Sequence, residues 1–458
     1  MRVEAQTRVT CINIQFFYIH RISMVALGLW PYHRTMLVQL QSCVFSLTTT
    51  SFIIFQLTTF LTTEWTIDFI VEILSKSLFL LVCVLLYNYL WINTHVVKYI
   101  LEKLQYVCRE LKNENEIAII KRYGHIAKYV AIGLTSLAIW SLFIFTLLPI
   151  LPRIFGIFFP VNKSETYRNI YITTEYFVDE EKYFYFIMLH LYVAHYIAGG
   201  TLIGAGVLLT GYFTYFCGLF NIASYRIEQA MRINSDELTN RKNKRKIDKK
   251  ISHAVDIHRT ALEFTEFFLY NFEGICFLII AIIVICLSLN LFGIFQAVRY
   301  VYNMQEFLVH CGFTVGILTC SLGVNCVGQA ITDHYNYMFS SAYNVPWYVA
   351  SVRVQRLILF LLRRGTKPYG LKFGGLYTIS LESFASVKLL YIMYQYVYII
   401  YYIYILCVCV CVCVCVCVCV CVCVCVCVCV CVKPKLTFSL QLSTASLSYF
   451  TLLCSIQK

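Results

Sequence analysis

The residues of this chain that are most capable of chemistry lie within apolar stretches. His190 and His195 stand five positions apart in one such stretch, and Glu72 and Lys76 stand four apart in another. Histidine serves as a general acid–base or a metal ligand, and a buried carboxylate–ammonium pair can orient a polar molecule. Neither pair brings the ligand set of a metal site, and the chain has no phosphate-binding glycine loop, zinc signature or nucleophile elbow. The sequence therefore predicts no metal, no cofactor and no catalytic residue.

A third candidate is the dipeptide Asp333-His334, which follows an apolar stretch. An adjacent carboxylate and imidazole can act in acid–base chemistry or bind a metal. One such pair lacks the further ligands that a metal needs. We therefore predict a hydrogen-bonding role for both side chains on the cytoplasmic side of that stretch.

The elements that position these residues are membrane helices. The chain has 458 residues, of which 60% are hydrophobic and 13% are charged. Soluble domains are about 45–50% apolar and about 25% charged, so a soluble enzyme and a disordered chain are both excluded. Six apolar stretches are long enough to cross the bilayer as helices. They cover residues 36–60, 69–92, 129–150, 184–213, 274–298 and 312–331.

The positive charge predicts how the helices are oriented. Lys and Arg total 27 in residues 1–35 and in the alternate loops 94–128, 214–268 and 341–372, against five in the loops on the other side. The positive-inside rule then places the N-terminus in the cytoplasm. The net charge of +13 is thus explained by orientation, and no nucleic-acid partner is predicted. Asn162 begins a glycosylation sequon in a loop that this topology places outside.

Residues Cys407 to Val432 form a strict Cys-Val alternation that contains 13 of the 24 cysteines. Neither a disulfide framework nor zinc-ligand spacing accounts for it. A TG repeat in DNA reads as Cys-Val, and a TA repeat reads as the Tyr-Ile pattern found just upstream. We therefore predict that this stretch is a translated microsatellite.

The edges of the repeat suggest a retained intron. Val387-Lys388 is compatible with a splice donor, and residues 438–441 are compatible with a pyrimidine tract ending in CAG. The predicted organisation is a cytoplasmic segment 1–35, a membrane domain 36–386 with the start of a seventh helix, an intron-derived segment 387–441 and the end of the seventh helix at 442–458. Joining Ser386 to Leu442 removes 55 residues and leaves 403. The seventh span is expected to begin near Phe373.

Several motifs, in order along the chain, resemble those of the insect odorant receptor family. The sequence as a whole is similar to the receptors of ants and bees. Residues 216–228 (FCGLFNIASYRIE) resemble the segment after the fourth helix of that family, and 258–264 (HRTALEF) resemble the segment before the fifth. Residues 288–292 (SLNLF), 343–348 (YNVPWY), 355–360 (QRLILF) and 380–384 (SLESF) are similar to its C-terminal half, and 446–453 (SLSYFTLL) resemble its final half-helix. Residues 17–31 resemble its N-terminal segment.

The resemblance implies an all-α polytopic membrane protein with seven transmembrane helices and a cytoplasmic N-terminus. It implies the ligand-binding subunit of an odorant-gated, non-selective cation channel in the plasma membrane of olfactory sensory neuron dendrites. That subunit would assemble with a shared co-receptor as a heterotetramer, with a small volatile odorant bound in the outer half of the membrane domain. The pocket candidates are Trp140, Phe143, Phe186, His190, Tyr192, His195, Tyr196 and Phe313. In the joined form, the pore candidates on the seventh helix are Ser443, Ser446, Leu447 and Phe450.

Other interpretations remain open. The two histidines can instead link helices by hydrogen bonds, and Tyr192 and Tyr196 can face lipid near the interface. Glu72 and Lys76 can form an interfacial pair, and the glycines at 199, 200, 204 and 206 suit close helix packing. A gustatory-type receptor of the same superfamily is the second candidate function, and a transporter is the third, although the internal repeats and mid-membrane acids of a transporter are not evident. The 458-residue chain is expected not to conduct.

Overall fold

The computed structural model describes residues 18–147, 174–232, 241–299, 304–366, 369–375 and 377–385. The described residues are overwhelmingly helical. The helices are α1 (Tyr18–Ala26), α2 (Met36–Leu57), α3 (Thr59–Thr62), α4 (Ile67–Ile92), α5 (Thr94–Glu110), α6 (Glu114–Leu147), α7 (Glu180–Met231), α8 (Arg241–Arg299), α9 (Met304–Asn344), α10 (Val352–Gly365) and α11 (Leu381–Ala385). A 3₁₀ turn at Trp347–Val349 and a hairpin of β1 (Lys372–Phe373) and β2 (Tyr377–Thr378) complete these elements.

The described residues of all six predicted apolar spans are almost entirely helical. Within the part of the chain that the structure describes, six helical segments are long and apolar enough to cross a membrane: Met36–Thr62, Ile67–Ile92, Glu114–Ile144, Lys182–Met231, Lys244–Ala297 and Glu306–Asn344. The helix α7 packs against α1, α2, α4, α6, α8 and α9, so it lies at the centre of the bundle. The predicted fold class, an all-α polytopic membrane protein, agrees with these six spans.

The sequence predicts loops at 94–128 and 214–268. The described residues of both ranges are mostly helical, so this part of the prediction is wrong. The helices α7, α8 and α9 continue far beyond their apolar spans, to 52, 59 and 41 residues. The reason is amphipathicity, which lowers mean hydropathy without breaking the helix. In α5, for example, Val97, Ile100, Leu101 and Leu104 recur at helical spacing and are buried.

These extensions form one end of the bundle, which we call the basic end. It comprises α1, α5, α10, the first half of α6 and α8, and the second half of α7 and α9. Its core is continuous and contains a column of aromatic rings. Phe216 stacks on Phe264 with ring centroids 5.5 Å apart, and Phe220 meets Tyr335 edge to face at 5.9 Å. Rings of this size contribute the largest share of core burial.

The other end of the bundle, which we call the apolar end, comprises the second half of α2 and α6, the first half of α4, α7 and α9, and the last third of α8. Its buried apolar residues form two small clusters, one around Phe52 and Leu191 and one around Leu287 and Ile317. Many large side chains on its outer faces are exposed, as lipid-facing residues of a membrane helix would be.

Near the middle of α7, where the apolar end meets the basic end, glycines permit close contacts with neighbouring helices. A Cβ at Gly199 would lie 2.9 Å from Leu142 of α6, and a Cβ at Gly204 would lie 2.7 Å from Leu27. A Cβ at Gly200 would lie 3.3 Å from Leu27, and a Cβ at Gly206 would meet no atom of the described residues within 4 Å. The packing interpretation of this glycine cluster is therefore supported at Gly199, Gly200 and Gly204 and has no support at Gly206 among the described residues.

The expected start of the seventh span near Phe373 is also wrong. Phe373 pairs with Tyr377 in the hairpin, and the next helix, α11, begins at Leu381. Gly374 and Gly375 have φ values of +61° and +68°, which glycine adopts readily and which reverse the chain here. The Gly-Gly pair was the sequence signal for this turn.

Candidate functional site

His190 lies at a junction of three segments at the apolar end. Its Nδ1 is 2.7 Å from the Tyr176 hydroxyl, and its Nε2 is 3.1 Å from both Ser51 Oγ and the Thr48 carbonyl oxygen of α2. The chain before α7 is also tied to α2, because the Glu175 N–H donates to the Phe55 carbonyl at 2.9 Å. His190 therefore joins the start of α7 to the middle of α2.

The partners of His190 define its tautomer. A carbonyl oxygen only accepts, so Nε2 carries the proton that faces Thr48, and Nδ1 accepts from Tyr176. Burial raises the pKa of Tyr176 to about 12, so this hydroxyl keeps its proton and donates. Both ring nitrogens of His190 are thus used within the protein, which matches the interhelical hydrogen-bonding interpretation.

His195 follows His190 by five residues on α7, and the two histidines share an aromatic neighbour. Phe52 of α2 meets both imidazoles edge to face, with ring centroids 5.4 Å away in each case. The Nδ1 of His195 donates to the Leu191 carbonyl of its own helix at 2.9 Å. The structure thus brings the two predicted histidines together, around a phenylalanine of the first span.

Tyr192 and Tyr196 meet at the end of α6. The Tyr192 hydroxyl donates to the Thr146 carbonyl at 3.2 Å, and the Tyr196 hydroxyl is 2.8 Å from Thr146 Oγ1. Tyr196 is otherwise 47% exposed. These hydroxyls satisfy polar groups of the α6 backbone and side chain, while the exposed ring of Tyr196 fits the interfacial-aromatic interpretation.

The remaining pocket candidates lie apart from the histidines. Trp140 and Phe143 face each other at 6.0 Å on the outer surface of α6, where 64% and 51% of their areas are exposed. Phe186 is 72% exposed at the start of α7. Phe313 packs on Phe79 of α4 with centroids 5.2 Å apart. Three of the eight candidates, Trp140, Phe143 and Phe186, therefore lie on outer surfaces of the apolar end rather than at a helix interface. Contact of the eight with an odorant stays a prediction.

Two further polar pairs at the apolar end involve α4. Lys76 Nζ is 2.6 Å from Glu72 Oε1, as the spacing of four predicted, and the two side chains are only 15% and 18% exposed. The Ser77 hydroxyl donates to Gln56 Oε1 at 3.2 Å, linking α4 to α2. Largely buried polar groups of this kind can fix the orientation of a bound molecule.

The basic end contains a cavity with a volume of about 350 Å³. It lies at the ends of α7 and α9, far from the predicted odorant site. Its polar lining includes Glu228, Arg232, Ser341 and Asn344. Among the described residues, no group of three or more His, Cys, Asp or Glu side chains has metal-binding geometry.

Asp333 and His334 are hydrogen-bonded at the basic end, as predicted. Asp333 Oδ1 accepts from Gln329 Nε2 at 2.8 Å. His334 Nδ1 donates to the Ala330 carbonyl at 2.6 Å, and its Nε2 accepts from the Tyr123 hydroxyl at 2.6 Å. Asn221 Nδ2 donates to the same hydroxyl at 2.9 Å. This chain of bonds links α9, α6 and α7.

Several predicted features lie outside the described residues. They are the sequon residue Asn162, the whole intron-derived segment 387–441, and the segment 442–458 with its pore candidates Ser443, Ser446, Leu447 and Phe450. The predictions made for these residues stay predictions.

The sequence did not predict the part that α2 plays at the apolar end. Ser51, Phe52 and Tyr176 surround His190, yet none of them was a candidate. The run of Ser and Thr at 46–51, unusual in an apolar span, was the available signal. The position of Tyr176 had no signal, because it depends on how the segment before α7 folds back.

Comparison with known proteins identifies relatives of this chain. A family model described as "7tm Odorant receptor" matches residues 66–391. The fold is similar to that of the insect olfactory receptor OR5 from Machilis hrabei in complex with eugenol, with a TM-score of 0.65 at 15% identity over 88% of this chain and 99% of that chain. A second structure of that receptor gives a TM-score of 0.62 at 14% identity, over 84% and 96% of the two chains. No curated protein sequence matches the chain.

Proposed function

This chain belongs to the insect odorant receptor family, and we propose that it is the ligand-binding subunit of a heteromeric, odorant-gated, non-selective cation channel. The family match over residues 66–391 is the observation that carries this proposal, because it spans five of the six apolar helices and the hairpin after them. The family is one of receptors rather than enzymes, and the combination of aromatic rings and a few polar groups around His190 suits a small volatile ligand.

We propose that the basic end is cytoplasmic and the apolar end is extracellular. The asymmetry of Lys and Arg supports this orientation. It places Asn162 outside the cell. Treatment of the expressed chain with an endoglycosidase should lower its apparent mass, and the Asn162→Gln variant should show no such change. An untreated mass that is equal for both forms would contradict the orientation.

The odorant pocket is proposed to lie between α4, α6, α7, α8 and α9 at the apolar end. The pocket candidates Trp140, Phe143, Phe186, His190, Tyr192, His195, Tyr196 and Phe313 all belong to this end. Population shift is the proposed mechanism: an odorant that binds the open arrangement better than the closed one raises the open fraction. The partners are the odorant, the lipid bilayer and the shared co-receptor.

We also propose that the conducting form joins Ser386 to Leu442, so that 442–458 completes a seventh, pore-lining helix. Ser443, Ser446, Leu447 and Phe450 would then recur on one helical side, where hydrophobic groups can gate by dewetting. Sequencing of cDNA across this region should show the direct junction. A mature message that retains the Cys-Val repeat would contradict it.

The channel proposal is tested by calcium imaging in cells that express the 403-residue form, the co-receptor, or both. A panel of volatile odorants should evoke calcium entry only when both subunits are present, and surface labelling should find the chain in the plasma membrane. Equal responses with the co-receptor alone would contradict the proposal. Trp140→Ala and His195→Ala should change the rank order of odorants if these side chains line the pocket.

A further inference from the structure

The segment that leads to the seventh helix is fastened to one face of α9. Asn325, which is 2% exposed, accepts two hydrogen bonds on Oδ1: one from the Tyr377 hydroxyl at 2.9 Å and one from the Ser380 N–H at 3.1 Å. Its Nδ2 donates to the Ser321 carbonyl at 2.9 Å. One turn further along α9, Gln329 Oε1 accepts from the Leu381 N–H at 3.3 Å. We call these contacts the Asn325 clasp.

The clasp acts on the first turn of α11. Ser380 precedes that helix, and its hydroxyl accepts from the Ser383 N–H at 3.0 Å, which is the bond of an N-cap. The backbone N–H groups of Ser380 and Leu381 cannot be satisfied within the helix at this position. Asn325 and Gln329 supply their acceptors, so the start of α11 is fixed relative to α9.

The backbone of α9 and the segment that follows β2 also lie too close together to slide past each other. A Cβ at Gly328 would lie 2.4 Å from Ile379 Cγ2 and 2.6 Å from the Ile379 carbonyl oxygen. Ile379 itself is 2% exposed, and its N–H donates to the Leu371 carbonyl at 2.8 Å. The hairpin is therefore held against α9 by a backbone-to-backbone contact as well as by the clasp.

The other side of the hairpin is attached to α8. The Gly374 N–H donates to Glu273 Oε1 at 3.0 Å, and a Cβ at Gly374 would overlap the ring of Phe277. The hairpin thus bridges the fifth and sixth spans before the chain enters α11. Burial raises the pKa of Tyr377 while its bond to Asn325 lowers it, and the net shift is upward, so the hydroxyl stays protonated and donates.

We infer that Asn325 and Tyr377 are positioning residues that transmit odorant-driven movement of α9 to the start of the seventh helix. This inference rests on the proposed function, in which the seventh helix lines the pore. A displacement of α9 moves the acceptors of Ser380 and Leu381, and the first turn of α11 must follow. Without the clasp, the two elements can change position independently, and less of the odorant's binding free energy reaches the pore.

The test is whole-cell recording from cells that express the 403-residue form with the co-receptor. The readout is the ratio of odorant-evoked to spontaneous current, because this ratio does not depend on how many channels reach the surface. Tyr377→Phe removes one donor of the clasp and keeps the ring. We expect the half-maximal odorant concentration to rise, and the current ratio to fall, by about 5-fold or more, the range of measured coupling between sites.

The matched control is Tyr369→Phe. It removes a tyrosine hydroxyl from the same segment, one that lies beside Thr265 of α8 and is not part of the Asn325 clasp. Its current ratio and half-maximal concentration should equal those of the wild type. If Tyr377→Phe does not reach the surface, Gln329→Ala provides the second variant, since it removes the Leu381 contact from a more exposed position and should shift the same readouts in the same direction.

The outcomes separate this inference from the proposed function. A shift in Tyr377→Phe or Gln329→Ala without a shift in Tyr369→Phe supports the clasp as a coupling device. Wild-type values in both clasp variants overturn the inference and leave the channel function standing. A wild-type chain that gives no odorant response with the co-receptor overturns the proposed function itself.

Discussion

The two ends of this bundle are held together by different interactions. The basic end has a continuous core of fully buried aromatic rings, such as Phe220 and Tyr335 at 0% and 1% exposure. The apolar end has small clusters, and its contacts around His190 and Thr146 are polar. If the basic end lies in the cytoplasm, the hydrophobic effect stabilises its core, whereas lipid removes that driving force from the apolar end. An adaptable binding site is therefore best placed at the apolar end.

The largest expected effect that separates the two ends comes from aromatic truncation. Phe220→Ala opens a cavity in the basic end and should lower the free energy of unfolding by about 3–5 kcal/mol. Phe186→Ala removes a ring that is 72% exposed at the apolar end and should change it by less than about 0.5 kcal/mol. Thermal denaturation of the detergent-purified protein measures both. Equal losses in the two variants would remove the distinction between the ends.

The next effect concerns charge at the basic end. Glu116, 8% exposed, receives two bonds from Arg226, at 2.7 Å to Nε and 2.9 Å to Nη2. Glu116→Ala leaves a largely buried guanidinium without its carboxylate and should cost about 2–3 kcal/mol, below the full buried-pair loss because Arg226 keeps some solvent contact.

The control for that variant is Glu263→Ala. Glu263 pairs with Arg259, and the two side chains are 59% and 73% exposed, respectively. The variant should lower the free energy of unfolding by no more than about 0.5 kcal/mol. Thermal midpoints of the two variants are compared in low and in high salt, and salt should matter only for the exposed pair. A larger loss in Glu263→Ala would contradict the assignment of the buried pair.

These contrasts show what the sequence could and could not predict. Apolar length predicted all six spans, and Lys and Arg predicted a charged end. The sequence does not predict the helical extensions by hydropathy, because their low mean hydropathy is equally typical of loops, although Val97, Ile100 and Leu104 recur at helical spacing. The contacts of His190 with Ser51 and Tyr176 depend on the relative rotation of two helices, which no single helix encodes.

A smaller effect distinguishes two glycines of the same helix. Gly328→Ala places a methyl group against the backbone of Ile379 and should destabilise the protein by about 1–3 kcal/mol. The methyl group of Gly323→Ala would meet no atom of the described residues within 4 Å, and alanine's higher helix propensity should make the variant neutral or stabilising by up to about 1 kcal/mol. Thermal midpoints and surface expression of both variants provide the measurement. Destabilisation by Gly323→Ala to the same extent would show that α9 tolerates no side chain at either position.

The smallest expected effect is at the apolar end. Tyr176→Phe removes the donor to His190 and keeps the ring stacked on Phe55, with centroids 4.2 Å apart. The free energy of unfolding should fall by about 1 kcal/mol, the net contribution of one hydrogen bond. Tyr185→Phe is the control, because that side chain is 78% exposed at the start of the same helix, α7. A loss above that of Glu116→Ala would mean that the apolar end, too, depends on a tightly packed core.

The most direct test of the account is excised-patch recording from cells that express the 403-residue form with the co-receptor. We predict an odorant-activated current that reverses near 0 mV in mixed sodium and potassium, as a non-selective cation pore requires. We further predict that His195→Ala changes odorant sensitivity and leaves the reversal potential unchanged, because the pocket and the pore are separate. Odorant-evoked currents identical to those of the co-receptor alone would contradict the claim that this chain binds the odorant.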